Sequence, residues 1–239
     1  MAETGRNYVP AAGHHWALWL YDPMVKLMGG DSVRKALLDR AVLRPGQHVL
    51  DIGCGTGTLV VLIKRLHPGV EAMGIDPDPK ALARGRRKAE RAAVTVRFEP
   101  GFSDDLPCPD ATIDHVFCSF MYHHLQAGEK EKMLREVRRV LAPGGLFHML
   151  DFGGPGPSSK GWLARRLHSS ERLKDNSEES VLALMNRAGL ANPKRVGQQA
   201  MRFGKVVFYQ AAAPASATAA ADGSGKEPAP TGNSGGRQG

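Results

Sequence analysis

The stretch Val49-Leu50-Asp51-Ile52-Gly53-Cys54-Gly55-Thr56-Gly57-Thr58 decides the fold. It reads as a short apolar strand ending on an acid, then glycines at alternate positions, then a helix that opens Leu59-Val60-Val61-Leu62-Ile63. Glycines at that spacing allow a sharp turn and a close approach of backbone to ligand. The helix that follows offers unpaired N–H groups and the positive end of its dipole, which suits an anionic ligand group.

Strand and helix patterns alternate outward from this turn over residues 46–151. The first strand is His48–Ile52, and Thr58–Leu66 is a helix closed by Pro68-Gly69. Residues 70–76 read as a second strand and residues 79–92 as a helix carrying Ala81, Leu82, Ala89 and Ala92 among basic positions. Residues 94–99 and Ile113–Ser119 are the third and fourth strands. Residues 129–141 form a helix with Met133, Leu134, Val137, Val140 and Leu141 on one face, stopped by Pro143-Gly144-Gly145 before a fifth strand at 146–150. Asn176, with Glu179 three residues on, is expected to cap a helix running to Ala188. Residues 193–199 and 205–210 are expected as two late antiparallel strands at the sheet edge. Strands alternating with crossover helices predict an α/β, doubly wound, mostly parallel seven-stranded sheet. Residues 1–40 read as an N-terminal helical cap or lid, residues 41–212 as the main domain. Residues 213–239, rich in Ala, Gly, Pro and Ser, read as a disordered tail.

A chain of 239 residues suits one α/β domain with additions, and 42% hydrophobic content is ample for its core. No apolar run approaches the roughly 20 residues of a membrane span. The N-terminus lacks a signal-peptide pattern, so the expected location is cytoplasmic. Cys54, Cys108 and Cys118 have no metal-ligand spacing and read as buried reduced thiols, with no metal site. The formal charge is +8, with basic residues gathered over 80–91 and at Arg135, Arg138 and Arg139. A solvated helix face explains them, with peripheral contact to an acidic membrane surface or an anionic substrate as the rival. The clusters lack interleaved aromatics, which argues against nucleic acid. The sequence carries no signature of oligomeric state.

The glycines do not complete a dinucleotide fingerprint: the third glycine of G-x-G-x-x-G would fall at Thr58. Downstream, Gly74-Ile75-Asp76 puts an acid at the tip of the second strand, where a carboxylate can accept two hydrogen bonds from a ribose diol. Capping the helix after Pro77 is the rival role for Asp76. Gly101-Phe102-Ser103-Asp104-Asp105-Leu106-Pro107 follows the third strand, and Glu136-Val137-Arg138-Arg139-Val140-Leu141-Ala142-Pro143-Gly144-Gly145 precedes the fifth. This ordered set resembles the class I S-adenosylmethionine-dependent methyltransferases, with their Rossmann-like fold. Within them it looks most like the small-molecule group that includes ubiquinone and menaquinone biosynthesis methyltransferases. Tyr21-Asp22-Pro23-Met24 is similar to the entry segment of those enzymes.

The resemblance implies S-adenosylmethionine as cofactor. The turn at Gly53, Cys54, Gly55 and Gly57 would pack on its methionine part, with Asp51 acting on the amino group and Cys118 lining the same pocket. Asp76 would hold the ribose hydroxyls, with Pro77 beside the adenine and Tyr21 in the entry segment. Related enzymes place an Asp directly after the glycine matching Gly101. This chain has Phe102, so either Ser103 or Asp104 takes over that contact or the Phe102 ring meets the adenine. His123 and His124, after the fourth strand, would lie beside the transferable methyl. Either can act as a base near neutral pH, or pack against the next helix. Asp151, ending the fifth strand, would orient a substrate or cap a loop. His14, His15, Trp16, Trp19 and Tyr21 form either an aromatic lid or an ordinary packing helix.

Other subclasses are disfavoured. No Asn/Asp-Pro-Pro-aromatic motif follows the fourth strand, and no glutamate pair lies between Asp114 and Glu129. The quinone enzymes commonly show Arg-Asn where His123-His124 stand. The expected function is methyl transfer from S-adenosylmethionine to a small apolar or aromatic, quinone-like acceptor. A phospholipid headgroup amine is the alternative acceptor. A nicotinamide enzyme or a non-catalytic nucleotide-binding protein is the alternative class.

Overall fold

Seven strands form a single sheet in the order β3-β2-β1-β4-β5-β7-β6, in a computed structural model that describes residues 29–153, 176–201 and 204–215. The elements are α1 (Gly30–Leu38), β1 (His48–Ile52), α2 (Thr58–Leu66), β2 (Glu71–Asp76), α3 (Pro79–Arg91), β3 (Arg97–Pro100), β4 (Ile113–Ser119), α4 (Ala127–Val140), β5 (Leu141–Phe152), α5 (Glu178–Arg187), β6 (Ala191–Met201) and β7 (Gly204–Ala212). Strands β1 to β5 are parallel, and β7 runs antiparallel between β5 and β6. This is the expected doubly wound, seven-stranded α/β sheet with two late antiparallel strands.

Both faces of the sheet are covered, which is why its strands are apolar on both sides. On one face α4 and α5 bury Met133, Val137, Leu184 and Met185 against Val116, Phe147, Met149 and Tyr209. On the other face α1, α2 and α3 bury Val33, Leu37, Leu59, Val60 and Leu82 against Val49, Phe117, Leu150 and Phe208. Helix α1 therefore packs directly on the sheet, across from α4 and α5.

Several boundaries differ from the sequence reading for local reasons. Helix α4 ends at Val140 rather than at Leu141: Leu141 is already extended and pairs with Ile113, so β5 begins before the Pro-Gly-Gly turn and contains it. The cap of α5 is Ser177, whose hydroxyl accepts from the Ser180 N–H, while the Asn176 side chain accepts from Lys130 Nζ at 2.8 Å. Ala213 is buried and donates its N–H to Gly145 O at 2.8 Å, so the packed chain runs past the expected start of the tail. Residues 1–28, with the aromatic segment and Tyr21, lie outside the described residues, as do residues 216–239. Among the described residues no helix is long and apolar enough to cross a membrane, and no cluster of three or more His, Cys, Asp or Glu could hold a metal ion.

Candidate functional site

The parallel register sets which loops meet. Ile52 pairs with Ile75 and with Cys118, Asp76 pairs with Pro100, and Ser119 pairs with Leu150. The turn after Ile52, the segments after Asp76, Pro100 and Ser119, and the end of β5 therefore leave the same, carboxyl edge of the sheet. In open α/β sheets this is where ligands bind.

The turn from β1 to α2 shows why its sequence needs glycine. Gly53, Gly55 and Gly57 all have positive φ, at 65°, 53° and 71°. A side chain at Gly53 would collide with Met121, and one at Gly57 with Phe98. At Gly55 a Cβ would meet nothing within 4 Å, so the turn is open there. The Cys54 thiol packs toward Gly74, leaving only its backbone to the turn. Helix α2 begins on Gly57 with no side-chain cap. Its first N–H groups keep their positive dipole end uncompensated by a capping side chain.

Two carboxylates flank this turn. Asp76 accepts the Gly55 N–H at 2.8 Å through Oδ2 and the Asp78 N–H at 2.9 Å through Oδ1. Burial raises its pKa, and these two hydrogen bonds oppose the rise. The α3 cap is Asp78, which accepts the Lys80 N–H at 2.8 Å. The capping role open to Asp76 thus falls to Asp78. A carboxylate offers about four acceptor positions, so roughly two remain on Asp76 for a diol.

Asp51 is only 1% exposed, and neither of its oxygens has a hydrogen-bond partner. Burial pushes its pKa up to about 7, opposed first by the Arg34 guanidinium and reinforced by Asp76. The Val60 N–H favours the charge slightly without closing a hydrogen bond. A buried carboxylate without partners is costly, and an ammonium group placed beside it would remove that cost.

The segment after β4 brings His123 onto Asp151. Asp151 is buried, and its Oδ1 lies 2.7 Å from His123 Nδ1. It also accepts the main-chain N–H of His123 at 2.9 Å and of Phe152 at 2.6 Å. With Nδ1–H donating to a carboxylate, Nε2 is left with its lone pair. The His124 ring lies against the His123 ring, 4.0 Å between centroids. Cys118 is fully buried; burial first, then the charges of Asp151 and Asp51, push its pKa well up, so its thiol stays protonated near both. Phe102 to Asp105 form a tight turn directly after β3, with Phe102, Ser103 and Asp104 half-buried and Gly101 N–H bonded to Asp76 O. Pro77, directly after β2, is half-buried. Tyr21 lies outside the described residues.

Two residues of this edge were not singled out in the sequence. Met121 lies over Gly53. Arg34, on α1, is 7% exposed and stacks its guanidinium over Phe120 at 5.5 Å. The signal for Arg34 is its place on an apolar stripe: Val33, Leu37, Leu38 and Ala41 are its buried neighbours at helical spacing.

Residues 49–145 match the family described as methyltransferase domain. The demethylmenaquinone methyltransferase of Thermus thermophilus is 37% identical over 148 residues, covering 61% of this chain and 66% of that protein. The ubiquinone/menaquinone biosynthesis C-methyltransferase of Citrobacter koseri is 34% identical over 161 residues, covering 64% and 63%. The chain thus spans just under two thirds of the length of these curated relatives. Among solved structures, phosphoethanolamine N-methyltransferase 2 of Haemonchus contortus, in complex with S-adenosylmethionine, superposes with a TM-score of 0.71 over 88% of this chain and 61% of that one. At 16% identity this is a likeness of fold.

Proposed function

Because residues 49–145 belong to the methyltransferase-domain family, we propose that this chain transfers a methyl group from S-adenosylmethionine to a small, quinone-like acceptor. The observation that carries the reading is the unpartnered, buried Asp51 beside an open glycine turn and within one strand of Asp76. These groups fit the cofactor's chemistry. Asp51 would hold the ammonium group, and Asp76 would use its remaining lone pairs for the ribose hydroxyls. The half-buried turn of Phe102, Ser103 and Asp104 would border the adenine, with Pro77 beside it. When bound, the cofactor supplies a sulfonium methyl that is already activated, so the protein needs no nucleophile of its own.

What the chain adds is position, exclusion of water and a base. His123 would accept the acceptor's proton at Nε2. Asp151 would fix the ring through Nδ1, as its three hydrogen bonds fix Asp151 itself. The quinone-like acceptor is supported by the names of the two curated relatives, a demethylmenaquinone methyltransferase and a ubiquinone/menaquinone biosynthesis C-methyltransferase. A cytoplasmic setting, a small-molecule rather than nucleic-acid partner, and peripheral contact of the basic α3 surface with an anionic membrane belong to the same proposal.

The test is transfer of labelled methyl from S-adenosylmethionine to a demethylated naphthoquinol. Label should appear in the quinol fraction. His123→Ala should lower kcat by roughly 100-fold or more, as loss of a general base does, and leave S-adenosylhomocysteine binding intact. Unchanged turnover in His123→Ala removes His123 from the mechanism. Absence of label with every quinol tried, alongside cofactor binding, removes the acceptor class.

A further inference from the structure

Lys130 is a cation buried where stability alone does not call for one. It lies in the first turn of α4, near the positive end of that helix's dipole, and is 1% exposed. Burying an ammonium group is costly, and an apolar side chain of similar shape at such a site is often neutral or stabilising. Its Nζ donates to Asn176 Oδ1 at 2.8 Å and lies 5.1 Å from the centre of the Tyr122 ring. Tyr122 and Asn176 are buried as well. A cation over an aromatic face is held most strongly where water is excluded.

These two contacts belong to the two segments that carry His123 and Asp151. Tyr122 directly precedes His123 in a short 3₁₀ turn after β4, Tyr122–His124. The turn is closed by the His124 N–H on Met121 O and the Leu125 N–H on Tyr122 O. Asn176 stands immediately before Ser177, the cap of α5, at the far end of the connection that leaves β5 beyond Asp151. The His123–Asp151 bond thus joins the turn to the end of β5, and Lys130 joins the same turn to the start of α5. The Tyr122 hydroxyl has no hydrogen-bond partner. The ring is therefore placed by what lies on its faces, which is apolar packing and the Lys130 ammonium group.

We infer that Lys130 is a positioning residue for methyl transfer: its ammonium group ties the Tyr122 ring to Asn176, and so holds the 3₁₀ turn where the His123 imidazole meets Asp151. The inference rests on the proposed role of His123 as base. Lys130 acts through Tyr122, one residue from His123, and takes no part in proton transfer itself. The cost of a buried ammonium group is set against the orientation of a ring whose partner lies 28 residues away in the chain.

The test uses the full chain carrying Lys130→Met, which keeps most of the side-chain length and removes the ammonium group. One readout needs no acceptor: the proton resonance of His123 Nδ1–H, which a short bond to a carboxylate moves downfield of other imidazole protons and which His123→Ala identifies by its loss. The other is methyl transfer to the demethylated naphthoquinol. Lys130→Met should broaden or abolish the resonance and lower kcat by roughly 10- to 100-fold, with KM changed by about threefold or less. In a His123→Ala background the same substitution should cost about threefold or less in kcat, because no base remains to be positioned. A merely structural Lys130 would lower the unfolding temperature and leave the resonance and kcat in place, which overturns the inference. An equal loss of kcat in the two backgrounds overturns it too. Where Lys130→Met does not fold, the double variant Lys130→Met/Asn176→Leu, with both partners apolar, carries the same expectations. Full turnover in His123→Ala alone overturns instead the base reading on which the inference rests.

Discussion

Asp51 is where the chemistry of this site is most exposed to test. Its carboxyl is buried without a hydrogen bond, and burial lifts its pKa to about 7 from an ordinary 3.8. Between those values the folded chain holds a proton that the unfolded chain has lost. Stability from this group is therefore present below pH 3.8 and declines as pH rises through 7 in the ligand-free protein. An ammonium group beside Asp51 favours the carboxylate, so cofactor binding must expel the proton at acid pH. Affinity for S-adenosylhomocysteine should then fall about tenfold per pH unit below about pH 7 and level off above it. Asp51→Asn should remove the slope and weaken binding at pH 8 by about 1.5–3 kcal/mol. Calorimetry across this range checks both, and a flat profile in the unaltered protein would place the ammonium elsewhere. At this scale the sequence was informative where a residue's neighbours in the chain define it. Asp51, Asp76 and the glycines are readable because they end strands or form the turn between β1 and α2. The pairing of His123 with Asp151 spans 28 residues and depends on adjacent strand ends, so only the candidates were legible and not their contact. Arg34 is not legible in the sequence, because a lone arginine in a short helix reads as surface until its apolar neighbours are placed.

Among the elements, the β4–β5 pair carries a feature that the mechanism does not use. His115 and His148 are buried on adjacent strands, with His115 Nδ1 3.1 Å from His148 Nε2 and Phe117 stacked 4.7 Å from the His148 ring. One nitrogen must donate and the other accept, which requires at least one neutral ring. Burial, then the neighbouring His115, lowers the His148 pKa to about 3, and burial lowers that of His115 as well. The unfolded chain takes up protons at these histidines below about pH 6.5, whereas burial disfavours that uptake in the folded chain, most at His148. Stability should therefore fall as pH drops from 6.5 toward 3. His148→Phe should flatten that loss by up to about 1.4 kcal/mol per pH unit, while lowering stability at neutral pH by about 1–3 kcal/mol through the unpaired His115 nitrogen. Urea unfolding at several pH values measures the slopes, and an unchanged slope would assign the acid sensitivity to other groups. The element boundaries themselves followed local chemistry. β1, α2 and β4 fall where apolar runs and breakers put them. The start of β5 did not, because pairing of Leu141 with Ile113 is a tertiary contact that overrides the Pro-Gly-Gly punctuation. The α3 and α5 caps shifted to Asp78 and Ser177 because several capping residues stood together, and only the local geometry selects one.

For the molecule as a whole, the alternation of strand and helix was enough to specify a parallel sheet covered on both faces, and crossover handedness then limits the topology to few choices. Strand order, the antiparallel insertion of β7 and the place of α1 on the sheet depend on packing between distant segments. They became visible only when the two apolar layers were assembled. The fold alone is shared by many functions, so the account stands on the site: one unpartnered acid, a second acid with acceptor positions to spare, an open glycine turn and an oriented histidine gathered on one sheet edge. The most direct test of that claim is a calorimetric titration of the full chain with S-adenosylhomocysteine in parallel with NAD. The account predicts saturable one-to-one binding of S-adenosylhomocysteine, abolished or strongly weakened in Asp76→Ala, and no comparable binding of NAD. Saturable NAD binding with none of S-adenosylhomocysteine would contradict it.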